Sequence, residues 1–288
     1  HYGKPEDVTA FMQVAGSSPI AMRTLRSFVR HKIEDRRWSD IVEVTEGLML
    51  STELICHRAH ALLMRGDTAQ ATPLLNGVWT VGESQIKACD PAFDTWYRMS
   101  GPSDDVVWNR ALNAADARNS TLLLYLKRFA SAELEPSLDD LGEIYRRPDR
   151  VTLKTRGLLS RQREIAHMGV KRLAKVNPKR ALDAMQTLSK RFEFDQTQQT
   201  VMNSLIVRHS LFAKSAAPLD WVTSRLAELR DDELTEIYLR STIAAADWPS
   251  FRMGYEWLSA TRQTSDEWRY WRVMAAAPGE AERSQTEL

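Results

Sequence analysis

The stretch LICHRAHALLMRGDTAQATPLLNGVW, residues 54–79, decides the fold class. From Leu54 to Met64 apolar residues recur at three- and four-residue spacing, the period of one helix face. Gly66 then has the position of a left-handed residue just past a helix end, where a side chain would be penalised. Asp67 or Thr68 is placed to cap a second helix running toward Trp79. Helix, tight turn and helix therefore follow within 26 residues, and so short a connection makes antiparallel neighbours. Upstream, Ile20, Met22, Leu25, Phe28, Val29 and Ile33 form one stripe between Pro19 and Ile33. The polar stretch Glu34 to Arg37 interrupts it before a new start near Trp38. Downstream, the punctuation recurs at Gly101-Pro102-Ser103, Asn119-Ser120, Pro136-Ser137, Asn177-Pro178, Pro218-Leu219-Asp220 and Asp247-Trp248-Pro249. Each pairs a helix stop with a cap or with a proline suited to the first helical turn. Glycine is only 12 of 288 residues, and period-two alternation is rare, so the chain reads as all-α.

Short helix pairs cannot each bury an apolar face alone. Stacked in succession they share one continuous core, which makes a superhelical α-solenoid the expected architecture. Gly66, Ala69 and Ala71 resemble the tight-turn and small-residue packing positions of tetratricopeptide pairs, although no strict 34-residue register persists. An irregular helical domain with a single core is the competing architecture. With 43% hydrophobic residues, nine Trp, eight Phe and seven Tyr, the chain has ample material for a core, which excludes intrinsic disorder. The apolar run Leu122 to Leu126 is far below the roughly 18 residues that suggest a membrane span, so none is expected. The N-terminus HYGKPEDV has neither an initiator Met nor a signal segment, and the expectation is a processed or excised portion of a longer chain.

The net charge of +1 conceals an asymmetry. Between Arg146 and Arg191 there are 14 Lys and Arg against three acids, a surplus of 11 that leaves the remainder at −10. Such a block could attract a polyanion. It contains no aromatic residue apart from its edges at Tyr145 and Phe192, so nucleic acid is not expected as a partner, and a solvated face is the plainer reading. Of six histidines, only those in Cys56-His57-Arg58-Ala59-His60 resemble a ligand cluster. Cys56 and His60 lie four apart on one helix face, and Cys89 could add a third zinc ligand. The same two cysteines equally suffice for one disulfide. The spacing of a paired zinc module is absent, and no metal or cofactor is expected. The sequence has no glycine-rich phosphate loop, GxSxG elbow or HExxH pair. Its carboxylates read as helix-start charges: Asp139-Asp140 after a cap at Ser137, and Asp231-Asp232-Glu233 before an apolar stretch.

The most specific string is VWTVGESQIKACDPAFDTW, Val78 to Trp96. Through Trp79, Gly82, Ser84, Gln85, Cys89, Asp90, Phe93 and Trp96 it resembles the helical domain of the large soluble lytic murein transglycosylases of the Gram-negative periplasm. DEWRYW, Asp266 to Trp271, is similar to that family's sequence near its linker domain. SSPIAMRTLRSFV and DRRWSDIV fit its early helix pairs, whereas Leu122 to Arg252 matches only as amphipathic helices. The resemblance implies a U-shaped, ring-forming helical domain over 1–288, with 264–288 approaching the linker and the lysozyme-like catalytic domain outside the chain. It implies a periplasmic location and a Cys56–Cys89 disulfide stapling neighbouring helix pairs. The family's reaction breaks the MurNAc-GlcNAc β-1,4 bond of peptidoglycan without water, the muramyl 6-hydroxyl closing onto C1 to leave a 1,6-anhydro product. Its acid/base Glu sits in a Glu-Ser motif followed by a Gly-Leu-Met-Gln-like motif. Here Glu83-Ser84 lies inside the Gly-x-Ser-Gln turn and Gly47-Leu48-Met49 precedes it, so no catalytic residue carries over and the chain alone is expected to be inactive. The implied role is to position the glycan strand, with Arg172, Lys175 and Arg180 as a candidate basic patch toward acidic stem peptides. The implied partners are the strand, the parent's catalytic domain, and cell-wall synthesis or division proteins. The alternative is a helical-repeat adaptor that binds proteins and has no glycan role.

Overall fold

In the computed structural model, residues 3–152 and 159–276 are described, and every regular element among them is helical. The all-α expectation holds. Two compact units divide the chain at Leu138/Asp139. The first contains α1 (Pro5–Ala15), α2 (Pro19–Glu34), α3 (Trp38–Val44), α4 (Thr52–Met64), α5 (Thr68–Trp79), α6 (Asp90–Met99), α7 (Asp104–Asp116) and α8 (Ser120–Leu126). The division falls inside α9 (Glu135–Arg146). The second unit continues with α10 (Leu159–Val176), α11 (Pro178–Leu188), α12 (Gln196–Ser210), α13 (Leu219–Leu229), α14 (Asp232–Ala244), α15 (Trp248–Tyr255), α16 (Ala260–Gln263) and α17 (Asp266–Met274).

The turn that opened the sequence reading closes α4 as expected. Gly66 has φ +86°; its N–H donates to the Leu63 carbonyl at 3.0 Å, and the Asp67 N–H donates to that of Leu62 at 2.9 Å. These paired bonds satisfy carbonyls that the helix end would otherwise orphan. Three further helix junctions use the same device without glycine. Arg36, Arg118 and Ala246 take φ of 56°, 61° and 54°, and the residue after each donates back to Lys32, Ala114 and Thr242 at 2.8 Å. The next helix begins two residues after each left-handed position, which keeps the connections short.

Side-chain caps start many of the following helices. Ser18, Asn119, Asn177, Asp195, Asp231, Asp247 and Ser259 each accept the backbone N–H three residues on, supplying partners for first-turn donors. Asp67 occupies the cap position of α5 without accepting such a bond, and its carboxylate instead meets Arg65 at 3.3 Å. The expected cap at Ser137 is incorrect. Ser131, anchored by Asp104, accepts the Leu134 N–H at 3.2 Å, so the chain turns helical earlier. Ser137 is then fully buried within α9, and Asp139 and Asp140 lie beyond its first turn, where capping no longer explains them.

Within the first unit α4 packs on α2, α3, α5 and α6, and within the second α12 packs on α10, α11, α13 and α14. Contact with both the adjacent helix and the next but one is the pattern of stacked helix pairs. Leu25, Phe28, Val29, Ile41, Leu54, Leu62, Leu75, Trp79 and Trp96 fill the first core; Ile165, Val170, Leu173, Met202, Ile206, Leu226, Leu239, Phe251 and Trp268 fill the second. The α2 stripe is narrower than the sequence suggests, because Ala21 takes the inward position and Ile20 beside it is 72% exposed. No described helix is long and apolar enough to cross a membrane.

Candidate functional site

The segment between α5 and α6 builds one side of a cleft in the first unit. Leaving α5, the chain presses Gly82 onto α7 so closely that a Cβ there would stand 2.4 Å from the Asn113 carbonyl oxygen. Amide side chains hold the loop: Gln85 Nε2 donates to the Val78 carbonyl at 2.5 Å, Asn113 Nδ2 to that of Thr80 at 3.1 Å, and Asn119 Nδ2 to that of Gly82 at 3.3 Å. Cys89 ends a single 3-10 turn and leads into α6, where it is bonded to Cys56 of α4 with a Cα–Cα separation of 4.9 Å. Both sulfurs are fully buried. The bridge implied by the resemblance is present, and it removes the thiolates a zinc site would need. His57 faces Glu53 at 3.8 Å, and His60 packs edge-on against Trp38 at 5.2 Å. Burial foremost pulls both imidazoles below their ordinary value. Among the described residues no group of three His, Cys, Asp or Glu is placed to hold a metal ion.

The cleft has a volume of about 450 Å³. Asp90, Asp94 and Tyr97 line it from α6 at helical spacing i, i+4 and i+7, which places them on one face. Arg110 contributes from α7, and Asn119, Thr121, Leu122 and Tyr125 from the start of α8; Ser84 and Gln85 close the loop side. Behind this wall Trp79 is fully buried, edge-on to Trp96 at 5.9 Å and to Phe129 at 5.6 Å. Its indole N–H donates to the Tyr97 hydroxyl at 2.6 Å. Burial foremost pushes the Tyr97 phenol up to about 12, so this hydroxyl remains neutral across the physiological range.

Arg110 is the unusual member. It is 5% exposed, its guanidinium lies 4.3 Å over the Trp79 ring, and one terminal nitrogen donates to the Glu83 carbonyl at 3.3 Å. Its Nε has no hydrogen-bond partner, and burial pulls its pKa down. A cation so enclosed is costly unless an anion or several acceptors answer it. Asp90 and Asp94 stand exposed at the cleft, each without an ion pair among the described residues. The cleft is therefore lined by two exposed carboxylates, a buried cation and two phenol rings.

The candidate basic patch lies on α10 and α11. Arg172 of α10 lies 3.8 Å over the Tyr145 ring, while Lys175 and Arg180 are exposed on either side of the Asn177-Pro178 turn. Several neighbours in the block serve the fold. Arg191 donates to Gln162 at 2.7 Å, Arg150 pairs with Glu143 at 2.8 Å, Lys179 approaches Asp183 at 3.6 Å, and Arg161 is buried. Lys154 and Arg156 lie outside the described residues. The DEWRYW string forms α17, where buried Trp268 donates its indole N–H to Glu236 at 3.1 Å. Of the cleft residues, Ser84, Gln85, Asp90 and Phe93 are among those that carry the resemblance; Asp94 lies in the same string without being one of them, and Tyr97, Arg110 and Tyr125 lie outside it. Arg110 carried a visible signal, since it occupies an inward position of α7 among Val107, Ala111 and Ala114.

This architecture is that of the helical part of soluble lytic transglycosylases. The structure of the 70-kDa soluble lytic transglycosylase from Escherichia coli superimposes with a TM-score of 0.73 at 19% identity, covering 99% of this chain and 46% of that one. A complex of the 70-kDa enzyme with bulgecin A gives the same TM-score and identity, covering 98% and 45%. An inactive mutant of lytic transglycosylase Slt from Pseudomonas aeruginosa gives 0.66 at 21%, covering 95% and 45%. The chain thus spans somewhat under half the length of these structures, and at such identities the likeness establishes the fold. No curated protein matches the sequence. The family model for the cucumovirus coat protein matches residues 67–163. That third of the chain begins at the cap of α5 and ends within α10, cutting across both compact units, so it delimits no domain of this fold.

Proposed function

We propose that this chain is the helical portion of a periplasmic lytic transglycosylase, holding a peptidoglycan glycan strand for a lysozyme-like domain carried elsewhere in the parent protein. In that reading residues 1–288 are non-catalytic. The parent cleaves the MurNAc-GlcNAc β-1,4 bond to 1,6-anhydromuramyl products, and cell-wall synthesis or division proteins are further partners. The observation that carries it is the superposition of 98–99% of this chain on about 45% of two 70-kDa enzyme structures. The cleft supports it in kind, since phenol, carboxylate and amide side chains are suited to polar, hydroxyl-rich ligands.

Two measurements test the proposal. Purified sacculi should retain the chain in a pull-down, and incubation of the chain with sacculi should release no anhydromuropeptides. Failure to bind, or release of anhydro products by this chain, overturns the proposal. For Arg172, Lys175 and Arg180, charge reversal of all three should weaken retention in a salt-dependent way; unchanged retention removes the patch from the glycan-facing surface.

A further inference from the structure

We propose that the α6–α7–α8 cleft binds a free amino-acid end, an ammonium and a carboxylate on one carbon, with the carboxylate directed to Arg110 and the ammonium to Asp90 and Asp94. Resting on the function proposed above, the source of that end is the uncrosslinked terminus of a peptidoglycan stem peptide. Three features point to this ligand.

Arg110 is 95% removed from solvent, and its Nε–H has no acceptor in the cleft wall. Among the described residues its guanidinium meets the Trp79 ring and the neutral Glu83 carbonyl but no carboxylate. A carboxylate is the ligand group whose geometry fits a guanidinium best.

Asp90 and Asp94 lie one helical turn apart at the same cleft, and neither meets a cation among the described residues. Two open carboxylates disfavour a purely anionic ligand, and Arg110 disfavours a purely cationic one. A zwitterion satisfies both.

Tyr97 and Tyr125 line the same cleft. Tyr97 is oriented by its bond from Trp79, and the two rings give an apolar contact for the methylene chain linking a diamino-acid end to the rest of a peptide.

The test uses the full chain and three probes. The first is a synthetic stem tripeptide ending in diaminopimelate with its distal amino-acid end free; the second is acetylated at that amine, and the third amidated at that carboxylate. Binding is followed by calorimetry and by the Trp79 indole N–H resonance, which reports the cleft wall directly. The free-ended peptide should bind and move that resonance, and each blocked peptide should bind about tenfold more weakly. The double change Asp90→Asn/Asp94→Asn, at two exposed positions, should abolish the preference over the acetylated peptide. Arg110→Gln should abolish the preference over the amidated one. Equal binding of all three peptides, no saturable binding of any, or an Asp90→Asn/Asp94→Asn protein that still discriminates against the acetylated form overturns the proposal. Peptide-stripped glycan strands separate the two levels: retention on them with no stem-peptide binding removes this inference alone, whereas loss on both substrates removes the proposed function as well.

Discussion

Breaking the Cys56–Cys89 bridge should destabilise the first unit by an amount set mainly by the loop it closes. The bonded residues are 33 positions apart, and the chain-entropy relation for a loop of that length corresponds to about 3.7 kcal/mol at 25 °C. Each Cys→Ala change also deletes a buried sulfur, worth roughly 1 kcal/mol by analogy with losing one buried methyl group. Either single variant breaks the bridge and should lose about 4–5 kcal/mol; the double variant should lose only about 1 kcal/mol more. Additive effects would instead require about 9 kcal/mol for the double variant, so the interaction energy is large and opposite in sign to the single effects. Urea unfolding of the wild type, both singles and the double, followed by tryptophan fluorescence, measures these four states. Hydrogen exchange resolved by mass spectrometry locates the loss: amides of α4 and α6 should lose protection before those of α10 and α12. Both sulfurs are fully buried, so reductant in native buffer should leave the bridge intact, while reductant in urea should reproduce the loss. Single-variant losses under about 1.5 kcal/mol, or additive single effects, would refute the chain-entropy account.

Other substitutions and conditions probe different parts of the fold. Gly82→Ala places a Cβ against backbone of α7 and should cost about 3 kcal/mol or more in a chemical melt; a loss below 1 kcal/mol would show that the loop can lift off α7 freely. Ala246→Gly should have the opposite sign, since relief of the left-handed penalty exceeds the added unfolded-state entropy by about 0.5–1 kcal/mol, and a lowered Tm would contradict it. Arg118→Gly should behave likewise, because its φ is also positive. For pH, His57 and His60 are both held below their ordinary value of 6.5, burial foremost, with Glu53 partly opposing this at His57. The unfolded chain therefore takes up protons that the native one refuses just below pH 6.5, so this contribution is present above that value and lost as pH falls through it. The fall of Tm between pH 7 and 5 should flatten in His60→Gln; an unchanged slope would exclude His60 as its source.

Most helices were legible because their stripes, prolines and capping residues agree, as at Ser18-Pro19, Asn177-Pro178 and Asp247. The repeating turn was legible only once. Gly66 announces a left-handed residue, while Arg36, Arg118 and Ala246 adopt the same conformation with side chains that ordinarily avoid it. Their backbone bonds to the preceding helix enforce it, and single-residue propensity cannot register such enforcement. The α9 start was misplaced for a related reason: its first-turn acceptor, Ser131, is held by Asp104, which is 27 residues away. Nothing adjacent to Ser137 in sequence reports that contact.

The site divides along the same line. Of the eight residues that carried the resemblance, Trp79, Gly82, Gln85, Cys89, Phe93 and Trp96 mostly have constructional tasks, whereas Ser84 and Asp90 line the cleft. Trp79 and Trp96 fill the core, Gly82 permits the loop to lie on α7, Gln85 ties that loop to α5, and Cys89 bonds α4. Their demands are steric and local, and a substitution would disturb the backbone itself, so such residues leave a recognisable string. Beside Asp90, the groups that can meet a ligand are Asp94, Tyr97, Arg110 and Tyr125, supplied by three helices. Arg110 is the exception in kind: a cation in an inward position of α7 conflicts with the apolar stripe around it. The fold supplies Trp79 beneath it without supplying a counter-ion. The wall is thus specified by residues that a family likeness detects, while ligand preference, Asp90 apart, rests on side chains that only the assembled cleft brings together.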